Sequence, residues 1–149
     1  MKTKLCLLIL LIVGLSVQLS ANPINGLLER IDKGASKKFV IEFKKGADDF
    51  FELDQKGTKV VVRGNNYVNI ATGINWYLKY YAGIQLSWNG MQAKLPQVLP
   101  PVPRKERHET SLSLRYDFNY CTYSYTMAFW DWERWEKEID WMAMHGINM

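Results

Sequence analysis

The stretch SLSLRYDFNYCTYSYTMAFWDWERWEKEIDWMAMHGINM, residues 111–149, decides the fold class. From Ser111 to Cys121 apolar and polar residues alternate strictly, and this period of two predicts a strand because successive side chains of a strand point to opposite faces. Asp131 then offers a helix N-cap, and Gly146 lies where that helix would end. Strand, loop, helix and a second extended segment, in that order, form the opening of a β/α unit, whose strands are normally parallel.

The helix distinguishes a parallel barrel from an antiparallel sheet. An edge strand with one face in water has the same alternation, so the strand by itself leaves both possibilities open. The helix that follows favours a (β/α)8 barrel of the TIM type, in which Asn119 and Cys121 are the last inward residues before the loop. One stripe of the helix is apolar and is expected to pack as core. Its residues are Trp132, Trp135, Ile139 and Met142.

A single strand-helix unit cannot bury its own apolar faces. Residues 111–149 are therefore expected to be the start of a truncated barrel, and the chain is expected to be a fragment. Before it, residues 22–95 predict a small α/β domain, so the whole chain is assigned to the α/β class. The expected elements are a helix after Asn22-Pro23 that ends before Gly34, strands over 38–44, 49–54 and 58–63, a helix over 67–81, and a hairpin of strands over 84–88 and 91–95.

Residues 96–110 are predicted to be a linker between the two domains. Four prolines fall within LPQVLPPVP, residues 95–103, and the charged stretch RKERHET follows. Proline fixes φ and restricts the residue before it, which excludes helix and central strand. An extended connecting segment is the expected structure.

Residues 1–21 are predicted to be a cleavable signal peptide. Lys2 and Lys4 precede an apolar run from Leu5 to Val17, and small residues follow it at Ser20 and Ala21. An uncleaved anchor is the alternative, but about 20 apolar residues are needed to cross a bilayer. The protein is therefore expected to be secreted or periplasmic, and not membrane-bound after cleavage.

Composition argues against several classes of partner. Without Lys2 and Lys4 the net charge falls from +4 to about +2, too weak for a nucleic-acid-binding surface. Cys121 is the only cysteine after the leader, and with His108 and His145 it makes a poor metal set. No metal, cofactor, nucleic acid or membrane partner is expected, and the sequence does not determine the oligomeric state.

Two segments resemble a known enzyme family. RYDFNYCTYSYTMAFWDWERWEKEIDWMAMHGIN, residues 115–148, is similar to the start of the catalytic barrel in the α-N-acetylglucosaminidases of glycoside hydrolase family 89. The similarity lies in an Arg-Tyr opening, Asn-x-Cys-Thr-x-Ser-Tyr, Trp-Asp-Trp and Glu-Ile-Asp-Trp-Met-Ala. VVRGNNYVNIATGINWYLKYYAGIQLSWNG, residues 61–90, resembles the small N-terminal domain of that family.

The resemblance implies an exo-acting, retaining hydrolase that removes terminal α-linked N-acetylglucosamine from glycans. Retention requires two carboxyl groups about 5 to 5.5 Å apart, and in the family both are glutamates on later barrel strands. No catalytic residue is therefore expected in this chain, which should be inactive alone. Carried over to matching positions, Asn119 and Cys121 are expected to line the sugar pocket, with Tyr125 at its rim.

Other residues of the stretch have expected roles outside the chemistry. Glu133, Glu136 and Glu138 are expected to form a solvated helix face, and Trp130 is open to packing or to ligand binding. The alternative function, from another class, is a secreted carbohydrate-binding or surface-interaction protein that lacks catalytic residues.

Overall fold

The computed structural model describes residues 22–118, 121 and 125–149. The predicted signal peptide, residues 1–21, and Asn119 lie outside this range. The described residues form, in chain order, α1 (Pro23–Ile31), a 3-10 turn (Ala35–Lys38), β1 (Phe39–Phe43), β2 (Asp49–Lys56), β3 (Lys59–Gly64), α2 (Tyr67–Tyr80), β4 (Glu106–Thr110) and α3 (Trp132–Met144). Among these helices, none has the length and apolar character needed to span a membrane.

Four strands form one mixed sheet in the order β1-β3-β2-β4. β2 and β3 are an antiparallel hairpin in which Lys56 pairs with Lys59, and Gly57 adopts a φ of 62° in the two-residue turn. β1 runs parallel to β3, and β4 runs antiparallel to β2. The three strands predicted between residues 38 and 63 are confirmed, with the hairpin turn at Gly57 and Thr58 instead of residues 55–57.

One hydrophobic core joins α1, α2 and one face of the sheet. Both helices begin where the sequence indicates, because the Asn22 side chain accepts a hydrogen bond from the Ile24 amide and Asn66 accepts one from Asn69. The opposite face of the sheet is charged. It carries Glu42, Glu52, Asp54 and Arg63.

The proline-rich segment belongs to the N-terminal domain. Leu99 and Val102 are buried in its core, and Glu106–Thr110 forms β4 along the edge of β2. The segment predicted as a linker, residues 96–110, thus packs on the N-terminal domain and pairs with its sheet as well as connecting it to the next unit. Prolines exclude helix, but an extended segment still has apolar side chains to bury and, beyond the last proline, backbone groups to pair with a strand edge.

Tyr77→Phe is expected to lower the free energy of unfolding by about 1 to 2 kcal/mol. The Tyr77 hydroxyl donates a hydrogen bond of 2.6 Å to the Pro100 carbonyl, and burial raises the pKa of Tyr77 to about 12. Phenylalanine would leave that carbonyl without its donor. Urea unfolding measures the loss, with exposed Tyr80→Phe as the control. Equal losses in the two variants would contradict the assignment.

The hairpin expected over residues 84–95 does not form. Ser87 and Gly90 make only an isolated bridge, so that Trp88 and Asn89 occupy the turn. The backbone amides beyond the turn bond elsewhere, because Ala93 donates to the carbonyl of Ile31 at 3.1 Å. A returning strand therefore has no partner, and the turn presents Trp88 away from the sheet.

The segment 111–118 is extended but is not a regular strand. One backbone hydrogen bond, of 3.1 Å from the Asn148 amide to the Arg115 carbonyl, joins it to the residues after α3. The Arg115 amide in turn donates to the Asn148 side chain at 2.8 Å. The two extended segments of the β/α unit thus lie side by side, while Leu112 and Leu114 remain exposed.

Candidate functional site

The residues predicted to bind substrate lie between the extended segment and α3. Asn119 is outside the described residues. Cys121 is half-buried, and its carbonyl accepts a hydrogen bond of 3.1 Å from the Tyr125 amide, so these two residues share one turn. The Tyr125 side chain is 85% exposed. Contact of these residues with a sugar stays a prediction.

The loop leads directly into α3. Met127 is buried, and its carbonyl accepts a hydrogen bond of 3.1 Å from the Trp130 amide. Asp131 then caps the helix by accepting from the Arg134 amide at 2.9 Å, and Gly146 follows the last turn with a φ of 80°. Both predicted ends of this helix are confirmed.

The face of α3 that packs on the N-terminal domain is not the apolar stripe. Trp132 is 69% exposed and Ile139 is also exposed, whereas Glu138 is 1% exposed and Asp140 and Met144 are buried. The expectation that Glu138 is solvated is wrong. A buried carboxylate is stable only with partners, and the N-terminal domain supplies part of them.

Arg30 of α1 binds the middle of α3 through a bidentate salt bridge. Its Nε and Nη2 donate to the Asp140 carboxylate at 2.6 and 2.7 Å, and its Nη1 lies 3.4 Å from Glu136. The hydrogen bond to Asp140 raises the pKa of Arg30. Such a planar fork fixes orientation as well as distance.

The first half of α3 carries an aromatic cluster that also includes the turn after α2. The Trp88 indole donates to Glu138 Oε2 at 2.7 Å, and Arg134 binds the same oxygen at 2.9 Å. The Arg134 guanidinium lies 4.8 Å from the Trp88 ring centroid and 4.0 Å from that of Trp130. Trp130 also meets Trp135 edge-on at 5.3 Å. Trp130 is therefore a packing residue here.

The last turn of α3 is held by polar groups of α2. Asn75 Nδ2 donates to the Met144 carbonyl at 3.1 Å, and Thr72 Oγ1 donates to the Ala143 carbonyl at 3.3 Å. The last carbonyls of a helix have no partner within the helix. The Ala143 carbonyl also accepts from the Gly146 amide at 3.2 Å, and Asn75 supplies a donor to the Met144 carbonyl from outside the helix.

Arg115 ties the extended segment to the N-terminal domain. Its guanidinium binds the Asp49 carboxylate at 2.6 Å and donates to the carbonyls of Leu112 and Gly146. Burial opposes ionisation of Asp49, but the hydrogen bonds from Arg115 and Asn66 outweigh it and lower the pKa of Asp49. The strand-helix unit is thus attached near both of its ends and in the middle.

Sequence reasoning missed most of this junction. Arg134 and Glu138 are four residues apart on one helix, a spacing that was a usable signal for their ion pair. Arg30 and Asp140 are 110 residues apart and carry no local signal. Within residues 22–118, 121 and 125–149, no cluster of histidine, cysteine and acidic residues is arranged to hold a metal ion.

Two family models match the chain in consecutive segments. The model of the α-N-acetylglucosaminidase (NAGLU) N-terminal domain matches residues 22–101, and that of the NAGLU tim-barrel domain matches residues 115–149. Human α-N-acetylglucosaminidase is 40% identical over 118 residues, which are 79% of this chain and 16% of the human protein.

Solved structures agree with the family models. The family 89 glycoside hydrolase from Clostridium perfringens, in complex with 2-acetamido-1,2-dideoxynojirmycin, matches with a TM-score of 0.81 and 39% identity over 85% of this chain. A variant of that enzyme with two glutamates replaced by glutamine, in complex with its substrate GlcNAc-alpha-1,4-galactose, matches equally well. This chain covers 15% of those chains. The resemblance and the fold class inferred from the sequence are confirmed: the chain belongs to the α-N-acetylglucosaminidase family, glycoside hydrolase family 89, and comprises its small N-terminal domain and the start of its TIM-barrel domain.

Proposed function

We propose that this chain is the N-terminal part of an exo-acting, retaining glycosidase that hydrolyses terminal α-linked N-acetylglucosamine from glycans. The observation that carries the proposal is the match of both family models in order along one chain. The Clostridium perfringens relative binds GlcNAc-alpha-1,4-galactose as its substrate, which supports the same class of glycan here.

The described carboxylates do not form the catalytic pair that retention requires. Glu133 pairs with Lys137 at 2.8 Å on an exposed helix face, and Glu138 is bound by Trp88 and Arg134. A retaining enzyme needs two carboxyl groups about 5 to 5.5 Å apart, one of them free to attack the sugar. We assign that pair to barrel residues outside this chain.

The proposed part of this chain in the reaction is to form a wall of the sugar pocket. Asn119 offers an amide donor and acceptor to ring hydroxyls, and Cys121 offers a small, weakly polar surface. Tyr125 is exposed on the same turn as Cys121, which suits a residue at the rim. None of the three is proposed as a nucleophile.

The function is tested with the full-length polypeptide that contains these residues. An aryl α-N-acetylglucosaminide is expected to be hydrolysed with the α-anomer as the first product, which NMR of the fresh reaction detects. The 149-residue chain is expected to show no turnover. Turnover by the short chain, or none by the full-length protein, would contradict the proposal, and the second result would favour a carbohydrate-binding role.

Asn119→Ala in the full-length enzyme is expected to lower kcat/KM for this substrate at least about tenfold, because a hydrogen bond to the bound sugar is worth roughly 1.4 kcal/mol in the transition state. Asn25→Ala, at an exposed position of α1, is the matched control and is expected to leave kcat/KM unchanged. Equal kinetics in the two variants would remove Asn119 from the site.

We also propose export through the signal peptide, residues 1–21. A basic start, an apolar run and small residues before Asn22 support it. N-terminal sequencing of the exported protein is expected to begin at Asn22. A mature protein that still begins at Met1 would contradict cleavage.

A further inference from the structure

We infer that Trp88 is a positioning residue, through which the N-terminal domain holds the loop that carries Cys121 and Tyr125. The inference rests on the function proposed above, because that loop matters only if it lines the sugar pocket. The side-chain contacts of Trp88 lead toward the loop through Arg134 and Trp130. The contacts form a continuous series from the domain to the loop.

The series begins in a rigid turn of the N-terminal domain. The amides of Ser87 and Gly90 each donate to the other residue's carbonyl at 3.0 Å, which closes the turn around Trp88. Leu86, two residues before Trp88, is buried in the core and anchors the turn. The indole is therefore presented from a fixed backbone.

The second step is a charged group that contacts both indoles. Arg134 lies 4.8 Å from the Trp88 ring centroid and 4.0 Å from that of Trp130, and the two ring centroids are 6.5 Å apart. Glu138 is almost fully buried and accepts from both Arg134 and Trp88 on the same oxygen. Displacement of Trp88 would therefore remove one of the two donors to that oxygen and one of the two rings against which Arg134 packs.

The third step connects Trp130 to the loop. The Trp130 amide donates to the carbonyl of Met127, which is buried and lies two residues after Tyr125. The Tyr125 amide in turn donates to the Cys121 carbonyl. The loop from Tyr125 to Trp130 is thus fixed at its C-terminal end, where Arg134 and Trp88 pack against Trp130. Loss of the Trp88 indole is expected to loosen that end and weaken substrate binding without altering the reacting carboxylates.

The test compares Trp88→Ala and Trp88→Phe with Trp76→Ala in the full-length enzyme. Trp76 lies in the same domain and packs against Phe51 and His108, away from the loop. At a temperature where all variants are folded, Trp88→Ala is expected to raise KM at least about fivefold with kcat changed less than about twofold. Trp88→Phe keeps an aromatic face for Arg134 and is expected to recover part of the affinity.

Hydrogen exchange gives a readout that does not depend on activity. The Trp130 amide is expected to exchange at least about tenfold faster in Trp88→Ala than in the unchanged protein, and to stay the same in Trp76→Ala. Unchanged KM, or unchanged exchange at Trp130, would overturn the inference. If the unchanged full-length protein fails to hydrolyse the aryl glycoside, the proposed function fails, and exchange at Trp130 alone then decides whether Trp88 positions this loop.

Discussion

Gly73→Leu is expected to unfold the N-terminal domain, with a loss of about 3 kcal/mol or more of unfolding free energy. Gly73 lies in the middle of α2, where a Cβ atom would come within 2.9 Å of Val62 Cγ1 and 3.1 Å of Phe51 Cβ. These two residues belong to the central strands β3 and β2, so neither backbone can move aside cheaply. A glycine inside a helix costs about 1 kcal/mol relative to alanine, and close packing of helix on sheet offsets that cost here.

Urea unfolding followed by tryptophan fluorescence measures the effect. Gly73→Ala is expected to lose about 1 to 3 kcal/mol, between the native protein and the leucine variant. Gly26→Ala in α1 is the control, because the nearest atom to its new Cβ is Nη1 of Arg30, which is 3.2 Å away on a partly exposed side chain outside the core. It is expected to change stability by less than about 1 kcal/mol. A leucine variant that unfolds at the native urea midpoint would refute the packing.

The second large effect is a loss of stability in acid through Glu52. This carboxylate is 2% exposed on the charged face of the sheet and lies 2.7 Å from Lys44, 3.0 Å from Lys105 and 3.2 Å from Arg107. Burial by itself opposes ionisation, but the three cations outweigh it and lower the pKa of Glu52 from the ordinary 4.5 to about 2.

The direction of the pH dependence follows from this depressed pKa. A carboxyl group that binds protons less tightly when folded stabilises the protein fully above its unfolded pKa, and the contribution disappears as the pH falls through the folded pKa. Between about pH 5 and 2 the free energy of unfolding is therefore expected to fall by about 3 kcal/mol on account of Glu52. The group contributes no slope near neutral pH.

Glu52→Gln isolates that contribution. At neutral pH the variant is expected to be less stable than the native protein, because three cations lose their common anion, and the difference should shrink as both proteins are taken to pH 2. Glu109→Gln removes a more exposed carboxylate from the same network and is expected to cost under about 0.5 kcal/mol. If the free energies of unfolding of the native protein and of Glu52→Gln change in parallel with pH, the three cations do not lower the pKa of Glu52.

Local signals sufficed for most of the regular elements. Asp131 is predicted to cap α3 and does so, because a cap depends only on residues within one turn. Alternation indicates β1, and a short glycine-containing connection indicates the hairpin of β2 and β3, for the same reason. The hairpin over 84–95 failed because the amides beyond Gly90 bond to distant parts of the chain rather than to the preceding residues.

The candidate site likewise combines a local motif, which the sequence reveals, with contacts between distant residues, which it does not. The motif around Asn119 and Cys121 indicates the family, and it predicts that these two residues line the sugar pocket. The attachment of the strand-helix unit through Trp88 and Arg30 depends on pairs that are 50 and 110 residues apart. The residue pattern within one helix or strand does not indicate which distant residues will contact it.

The family, the caps and periods of the main elements, and the order of small domain then strand-helix unit follow from the amino-acid sequence without any coordinates. The folded chain adds that residues 106–110 complete the sheet and that α3 buries Glu138 and Asp140 instead of its tryptophan stripe. Periodicity shows which residues share a face, but the partner of a face depends on which donors, charges and strand edges the rest of the chain brings beside it.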